Sequence, residues 1–386
     1  MNRPAFADRL LQQQAQRLTG SLQRRLRTAQ ALRAGRIVID RRELIDFGSN
    51  DYLGLAQHPQ LLEALRGAAT VGARASHLLG GHREEHAALE AALANWLGYP
   101  RALLFSTGYM AAIGSLFALL GRHDLCLQDR LNHACLLDGA RLAGADLQRF
   151  EHLDVQDAAR LLRCAPQRRA LLVSDGVFSM DGDIAPLAPL AALAQRENAW
   201  LMVDEAHGLG VLGPQGRGAC AALGLQAAEV PVLMGTLGKA LGGFGAFIAG
   251  SELLIDTLIN GARTYIYTTA LPPALAQVLC VAVELARAAD EPRAHLQQLI
   301  GHFRAGALHQ GWSLLPSATP IQPLLIGDSA AALNLAQRLE AAGCYCPAVR
   351  PPTVPIGSAR LRISLTAAHH IADVDHLLGA LGAGSR

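Results

Sequence analysis

The stretch WLMVDEAHGLGVLGPQGRGACAALGLQAAEVPVLMGTLGK, residues 200–239, decides the fold class. It opens on an apolar run that delivers Asp204, with His207 one turn later. It closes on a second apolar run, 232–235, that empties into Thr236-Leu237-Gly238-Lys239. The interval between Asp204 and Lys239 leaves room for a crossover between adjacent parallel strands. Working outward, similar short apolar runs occur at 102–105, 125–128, 170–174 and 245–249, separated by alanine- and leucine-rich segments of helical period such as 187–197. Strands alternating with helices predict an α/β fold: a mainly parallel central sheet covered by helices.

Two flanking regions read differently. From about residue 291 the pattern is helix (293–310), strand (321–326), helix (330–342), strand (360–365) and helix (371–381), a smaller α+β C-terminal domain. Residues 1–45 read as an N-terminal helical segment, leaving 46–290 as the large domain. Arginines cluster early, at Arg9, Arg17, Arg24, Arg25, Arg27, Arg33 and Arg36, while Leu11, Leu18, Leu22 and Leu26 recur at helical spacing. That pattern describes a solvated helix face, or a surface for an acidic substrate or partner.

Composition excludes several functions. The 386 residues are 51% hydrophobic and 17% charged, which is globular rather than disordered, and a net charge of +2 is too weak to imply nucleic acid. The cysteine count of seven is odd, and Cys344-x-Cys346 lacks a second pair or a nearby histidine, so reduced thiols of a cytoplasmic protein are expected and no metal site. The N-terminus has no apolar core of a secretory signal. The longest uncharged stretch, 102–120, is broken by Ser106, Thr107, Gly108 and Gly114, which suits a strand, turn and buried helix rather than a membrane span.

Ligands of such sheets sit beyond the carboxyl ends of the strands. Three ends carry chemistry: Asp204 with His207; Thr236 with Lys239; and Leu103–Tyr109, where a strand breaks at Gly108 and Tyr109 before a helix whose free amides could hold a phosphate. A site that stabilises a carbanion with pyridoxal 5'-phosphate (PLP) needs these parts. A lysine carries the cofactor and moves the proton, a carboxylate keeps the pyridine nitrogen protonated, and amides hold the phosphate. Each piece alone is ordinary: Asp204 could cap a helix and His207 could be a core histidine. A rival lies in the same stretch. Gly208-x-Gly210-x-x-Gly213 matches the dinucleotide fingerprint of a nicotinamide-dependent oxidoreductase, yet Gly213-Pro214-Gln215-Gly216-Arg217-Gly218 forbids the long helix that motif must open.

With Ser49-Asn50-Asp51-Tyr52-Leu53-Gly54-Leu55, Gly176-Val177-Phe178-Ser179-Met180-Asp181-Gly182-Asp183, Tyr267-Thr268-Thr269-Ala270-Leu271-Pro272-Pro273 and Arg350-Pro351-Pro352-Thr353-Val354-Pro355, these motifs resemble the α-oxoamine synthases, fold-type I PLP-dependent transferases, over essentially the whole chain. The resemblance implies that Lys239 carries PLP, Asp204 pairs with the pyridine nitrogen, His207 meets the ring oxygen and His133 stacks on the ring face. Gly108, Tyr109 and Thr236 would hold the phosphate, with Ser179 also on the cofactor. Thr268 and Thr269 would reach the phosphate of a neighbouring subunit, implying a homodimer. Arg362 would clamp the amino-acid carboxylate, while Thr353 and Arg24 would meet the acyl substrate. The last two motifs point to the branch that joins L-alanine to a pimeloyl thioester, carried by coenzyme A or acyl carrier protein; its siblings make aminolevulinate or aminoketobutyrate. The acidic strand end reads Asp204-Glu205, where Asp-Asp is common in that branch.

Overall fold

The computed structural model describes residues 5–382. The chain divides into two compact units, Asn50–Leu296 and Met1–Ser49 with Gln297–Arg386.

The smaller unit starts with a helix, Phe6–Thr19, and then three antiparallel strands, β1 (Ala29–Arg33), β2 (Arg36–Ile39) and β3 (Arg42–Asp46). The helical reading of 1–45 is therefore corrected over its second half. Two tight turns do this: Gly35 at φ 73°, then Asp40 and Arg41 at φ 50° and 65°, the paired left-handed residues of a two-residue hairpin. Ile37, Val38 and Ile39 between them are β-branched.

The larger unit holds a seven-stranded sheet of β4 (Arg101–Phe105), β5 (Leu125–Asp129), β6 (Asp146–Phe150), β7 (Ala170–Asp175), β8 (Trp200–Asp204), β9 (Val232–Thr236) and β10 (Ala246–Gly250), in the order β4-β10-β9-β8-β7-β5-β6. β9, β8, β7, β5 and β6 are parallel, and β10 runs antiparallel to both of its neighbours. The fold is thus the expected α/β sheet of mostly parallel strands. Every residue of β5 and β10 is buried, as a sheet covered on both faces requires. Each fully buried leucine contributes about 1.5–3 kcal/mol, so the interior of the sheet fixes where its strand ends point. β6 was not expected: Asp146-Leu147-Gln148-Arg149-Phe150 is polar because it is an edge strand, buried fully only at Phe150.

The helix Asp290–His309 leaves the larger unit. The smaller unit continues with β11 (Ile321–Gly327), the helix Ser329–Ala341, β12 (Cys344–Tyr345), β13 (Ala348–Val349), β14 (Ala359–Ser364) and the helix Ile371–Leu381. β11, β14 and β13 form an antiparallel sheet, and β12 adds in parallel to β3. Among the described residues no helix is long and apolar enough to cross a membrane.

Candidate active site

In the larger unit, the carboxyl ends of β7, β8 and β9 and the start of the helix Gly108–Leu119 enclose a cavity of about 200 Å³. It gathers eight predicted residues: Gly108, Tyr109, His133, Ser179, Asp204, His207, Thr236 and Lys239. Thr268 and Thr269 are not in this lining; they follow the short helix Arg263–Ile266, the first half-buried and the second exposed. Asp175 and Cys135 line the cavity without having been anticipated.

Asp175 and Asp204 sit side by side in the parallel register of β7 and β8, and both are buried. Burial raises the pKa of each, Asp175 the further because Asp204 is beside it; the Lys239 charge pulls both the other way. Asp204 accepts from the Ala206 amide at 2.9 Å. Burial thus works against the charge of both acids, and a cationic ligand atom beside them would favour it.

The other end of the cavity suits an anion. Thr107 caps the helix, its side chain accepting from Met110 N at 3.1 Å, and the first-turn amides at Gly108 and Tyr109 have no carbonyl one turn back. A Cβ on Gly108 would lie 2.9 Å from Thr236 Cγ2, so the helix start approaches β9 this closely only as glycine. Thr236 Oγ1 is buried without a hydrogen-bond partner among the described residues. Amides, hydroxyl and helix dipole together make a phosphate cradle.

Two histidines flank the space. His133 caps the helix Ala134–Ala143: its Nδ1 accepts from Cys135 N at 3.3 Å and lies 2.8 Å from Cys135 Sγ. An acceptor Nδ1 places the proton of the neutral ring on Nε2. His207 Nδ1 shares a 2.7 Å hydrogen bond with the buried Tyr52 hydroxyl, which donates to Asn50 Oδ1 at 3.2 Å.

Glu205 does something different from its neighbour. Fully buried, it accepts from Ala219 N at 2.9 Å and Cys220 N at 2.6 Å. The glycine run folds around it: Gly218 is at φ 101°, and a Cβ there would come within 2.6 Å of the carboxyl group. The G-x-G-x-x-G match therefore wraps the chain's own carboxylate, which would repel a pyrophosphate, and the dinucleotide reading fails on that ground.

The smaller unit holds the remaining predicted residues. Arg24 Nη2 donates to Thr353 Oγ1 at 2.9 Å, beside a cavity of about 800 Å³ lined by Leu10, Arg17, Leu22, Arg24 and Pro352 among others. Arg27 is committed elsewhere, to Asp40 and Glu340, both at 2.6 Å. Arg350 donates to Ser21 O, fastening the proline loop to the N-terminal segment. Arg362 is buried on β14 and donates to Ser364 Oγ at 2.9 Å.

A cluster of His77, His82 and His86 lies outside the cavity lining. His86 accepts from Arg83 N at 2.9 Å and donates to Leu271 O at 2.6 Å, so neither ring nitrogen has a free lone pair for a metal. Burial, then the neighbouring His86 and His82, holds His77 down to about 3. The three rings are a neutral packing network.

The class I and II aminotransferase profile matches residues 42–381. A protein from Cellvibrio japonicus named 8-amino-7-oxononanoate synthase is 55% identical over 90% of this chain and 88% of its own. Another of that name, from Nitrosococcus oceani, is 54% identical over 95% and 98%. Among solved structures, a serine palmitoyltransferase from S. paucimobilis with bound PLP and myriocin has a TM-score of 0.92 at 30% identity, covering 98% of each chain. The chain belongs to the class I and II aminotransferase family, in the branch formed by its 8-amino-7-oxononanoate synthase relatives.

Proposed function

We propose that this chain condenses L-alanine with a pimeloyl thioester, using PLP, to give 8-amino-7-oxononanoate, CO2 and the free thiol, a step of biotin biosynthesis. The observation that carries the choice of substrates is the 54–55% identity to relatives of that name over nine-tenths of the chain or more. The fold alone does not choose, since a serine palmitoyltransferase shares it.

The cavity fits the cofactor. It offers a phosphate cradle at Gly108, Tyr109 and Thr236, an unsatisfied Thr236 hydroxyl, paired acids for a protonated ring nitrogen, and Lys239 in the same lining. PLP supplies, when bound, a ring that draws electrons away from the amino acid's Cα. Lys239 carries the cofactor at rest and then moves the proton from alanine Cα. Asp204 holds the proton on the ring nitrogen, with His207 against the ring oxygen. His133 covers the ring face and presents Nε2–H to the substrates. Ser179 closes one side. Arg362 takes the alanine carboxylate in a two-pronged grip, and Arg24 with Thr353 takes the far carboxylate of the pimeloyl chain. A carbon–carbon bond forms between alanine Cα and the thioester carbonyl carbon; the thiolate leaves and takes a proton from solvent, the alanine carboxylate departs as CO2, and Lys239 returns its proton to the carbon that CO2 leaves.

The working enzyme is a homodimer in which Thr268 and Thr269 serve the partner's phosphate, and the seven free cysteines fit a cytoplasmic setting. Two measurements test the reading. Purified protein should absorb at about 420 nm as PLP bound to lysine does, and the band should change on adding alanine. Comparing kcat/KM for alanine or glycine with pimeloyl- or succinyl-coenzyme A should favour alanine with pimeloyl; glycine with succinyl-coenzyme A winning would move the chain to the aminolevulinate branch.

A further inference from the structure

At the same end of the sheet as the cavity, one step outward, lies a second group of charges that the reaction does not use. His152 follows β6 and stands between two carboxylates: Nδ1 is 2.9 Å from Asp129 Oδ1 and Nε2 is 2.9 Å from Asp183 Oδ2. Its ring meets Phe178 edge to face at 4.5 Å. Both ring nitrogens donate to carboxylates, which only the imidazolium can do.

Each carboxylate organises a different loop of the cavity. Asp129 ends β5 and is buried; Oδ1 also accepts from Leu131 N at 2.8 Å, and Oδ2 accepts from Leu153 N at 2.9 Å. Leu131 begins the Leu131-Asn132-His133 turn. Asn132 then accepts from Asp175 N at 3.0 Å and donates to Val173 O at 2.9 Å, which sets His133 over the cavity. Asp183 closes the loop that carries Ser179: Phe178 N donates to Asp183 O at 3.0 Å, and Gly182 N donates to Phe178 O at 2.8 Å. Asp183 Oδ1 is buried with no partner among the described residues, so His152 is the group that compensates this carboxylate.

We propose that His152 is a positioning residue: as a permanent imidazolium between Asp129 and Asp183 it staples the His133 turn to the Ser179 loop and so fixes the width of the cofactor cavity. Asp129 and Asp183 lie on chain segments more than fifty positions apart, and one small cation joins them without touching the ligand. The inference rests on the reading of this cavity as the PLP site.

The test is the rate at which the holoenzyme loses PLP on dilution, followed by its visible absorbance. His152→Gln donates to one carboxylate at most and should release PLP at least about ten times faster than the parent. Leu193→Ala, a core truncation in the helix Leu187–Arg196, serves as a control for lost stability and should release PLP within twofold of the parent rate. If His152→Gln does not fold, Asp183→Asn breaks the Nε2 pair while leaving His152 on Asp129, and should also speed release. Release from His152→Gln or Asp183→Asn no faster than from Leu193→Ala at matched melting temperature would overturn the staple. A parent protein purified without the PLP absorbance would overturn the cofactor reading instead, and the staple's purpose with it.

Discussion

Two pairs of acids stand at the carboxyl edge of the sheet, and the protein treats them in opposite ways. Asp129 and Asp183 share one imidazolium, whose pKa rises to about 10 because the hydrogen bonds and charges of both acids outweigh the lowering effect of burial. Asp175 and Asp204 face each other in register with only partial compensation from Lys239, and burial pushes both upward. The first pair is matched within the chain and builds structure. The second is left with a surplus that a ligand must answer, which is how a binding site differs from a structural salt bridge made of the same residue types.

Removing the lysine should break the unmatched pair most severely. Lys239→Ala should lower turnover by about 10³-fold or more, since covalent attachment and the proton shuttle are lost together. Single-turnover assays with alanine and pimeloyl-coenzyme A measure this; near-parent activity would mean that the surplus acids serve some other cation. Asp204→Asn comes next, with about 10²-fold lost from exchange of the alanine Cα proton in deuterated water. The same change should raise the melting temperature of the cofactor-free protein, because it deletes a buried charge. Activity and stability moving in opposite directions is the signature expected of the unmatched pair.

The matched pair predicts the opposite pH behaviour. His152 has a folded pKa of about 10, above its ordinary value near 6.5. Its contribution to stability is therefore fully present below about pH 6.5 and is lost as pH rises through about 10. Denaturant unfolding should show His152→Gln less stable than the parent by about 3 kcal/mol near pH 6, with the gap narrowing from about pH 6.5 and closed above about pH 10. A gap constant over that range would mean that the ring is neutral and the pairs are not ionic.

The same contrast explains what could be read from the sequence. β8 and β9 were legible because their apolar runs end in residues apolar strands do not need, Asp204 and Lys239. Asp175 ends β7 in the same way, but the expected strand stopped one residue short of it. The staple of Asp129, His152 and Asp183 has no local signature: its members lie at the end of β5 and in the loops after β6 and β7, and only the parallel order β7-β5-β6 brings them together. β1 to β3 were hidden by arginines that dominate the composition there, and by a hairpin whose left-handed residues are Asp40 and Arg41 rather than Asn-Gly. Glu205 looked like a departure from a catalytic pair, and its two amide hydrogen bonds make it the anchor of the glycine loop.

The smallest effect falls on the arginines of the smaller unit, where matched and unmatched charges recur three residues apart. Arg27 is held between Asp40 and Glu340, whose hydrogen bonds drive its pKa further upward, whereas Arg24 makes no ion pair among the described residues and touches a neutral hydroxyl, Thr353 Oγ1. By the rule drawn from the sheet, the proposed function assigns the substrate carboxylate to Arg24 rather than to Arg27. Arg24→Gln should raise KM for pimeloyl-coenzyme A about tenfold, or about 1.4 kcal/mol, with little change in kcat, because a contact far from the reacting carbon binds ground state and transition state alike. Arg27→Gln should leave KM within about twofold and instead cost about 1 kcal/mol or less of stability, since Arg27 and Asp40 are exposed and only Glu340 is half-buried. Steady-state kinetics on the two variants decide the register of this arginine-rich stretch. An effect on KM confined to Arg27→Gln would show that a matched charge can be the functional one, and would break the rule at the point where it was easiest to apply.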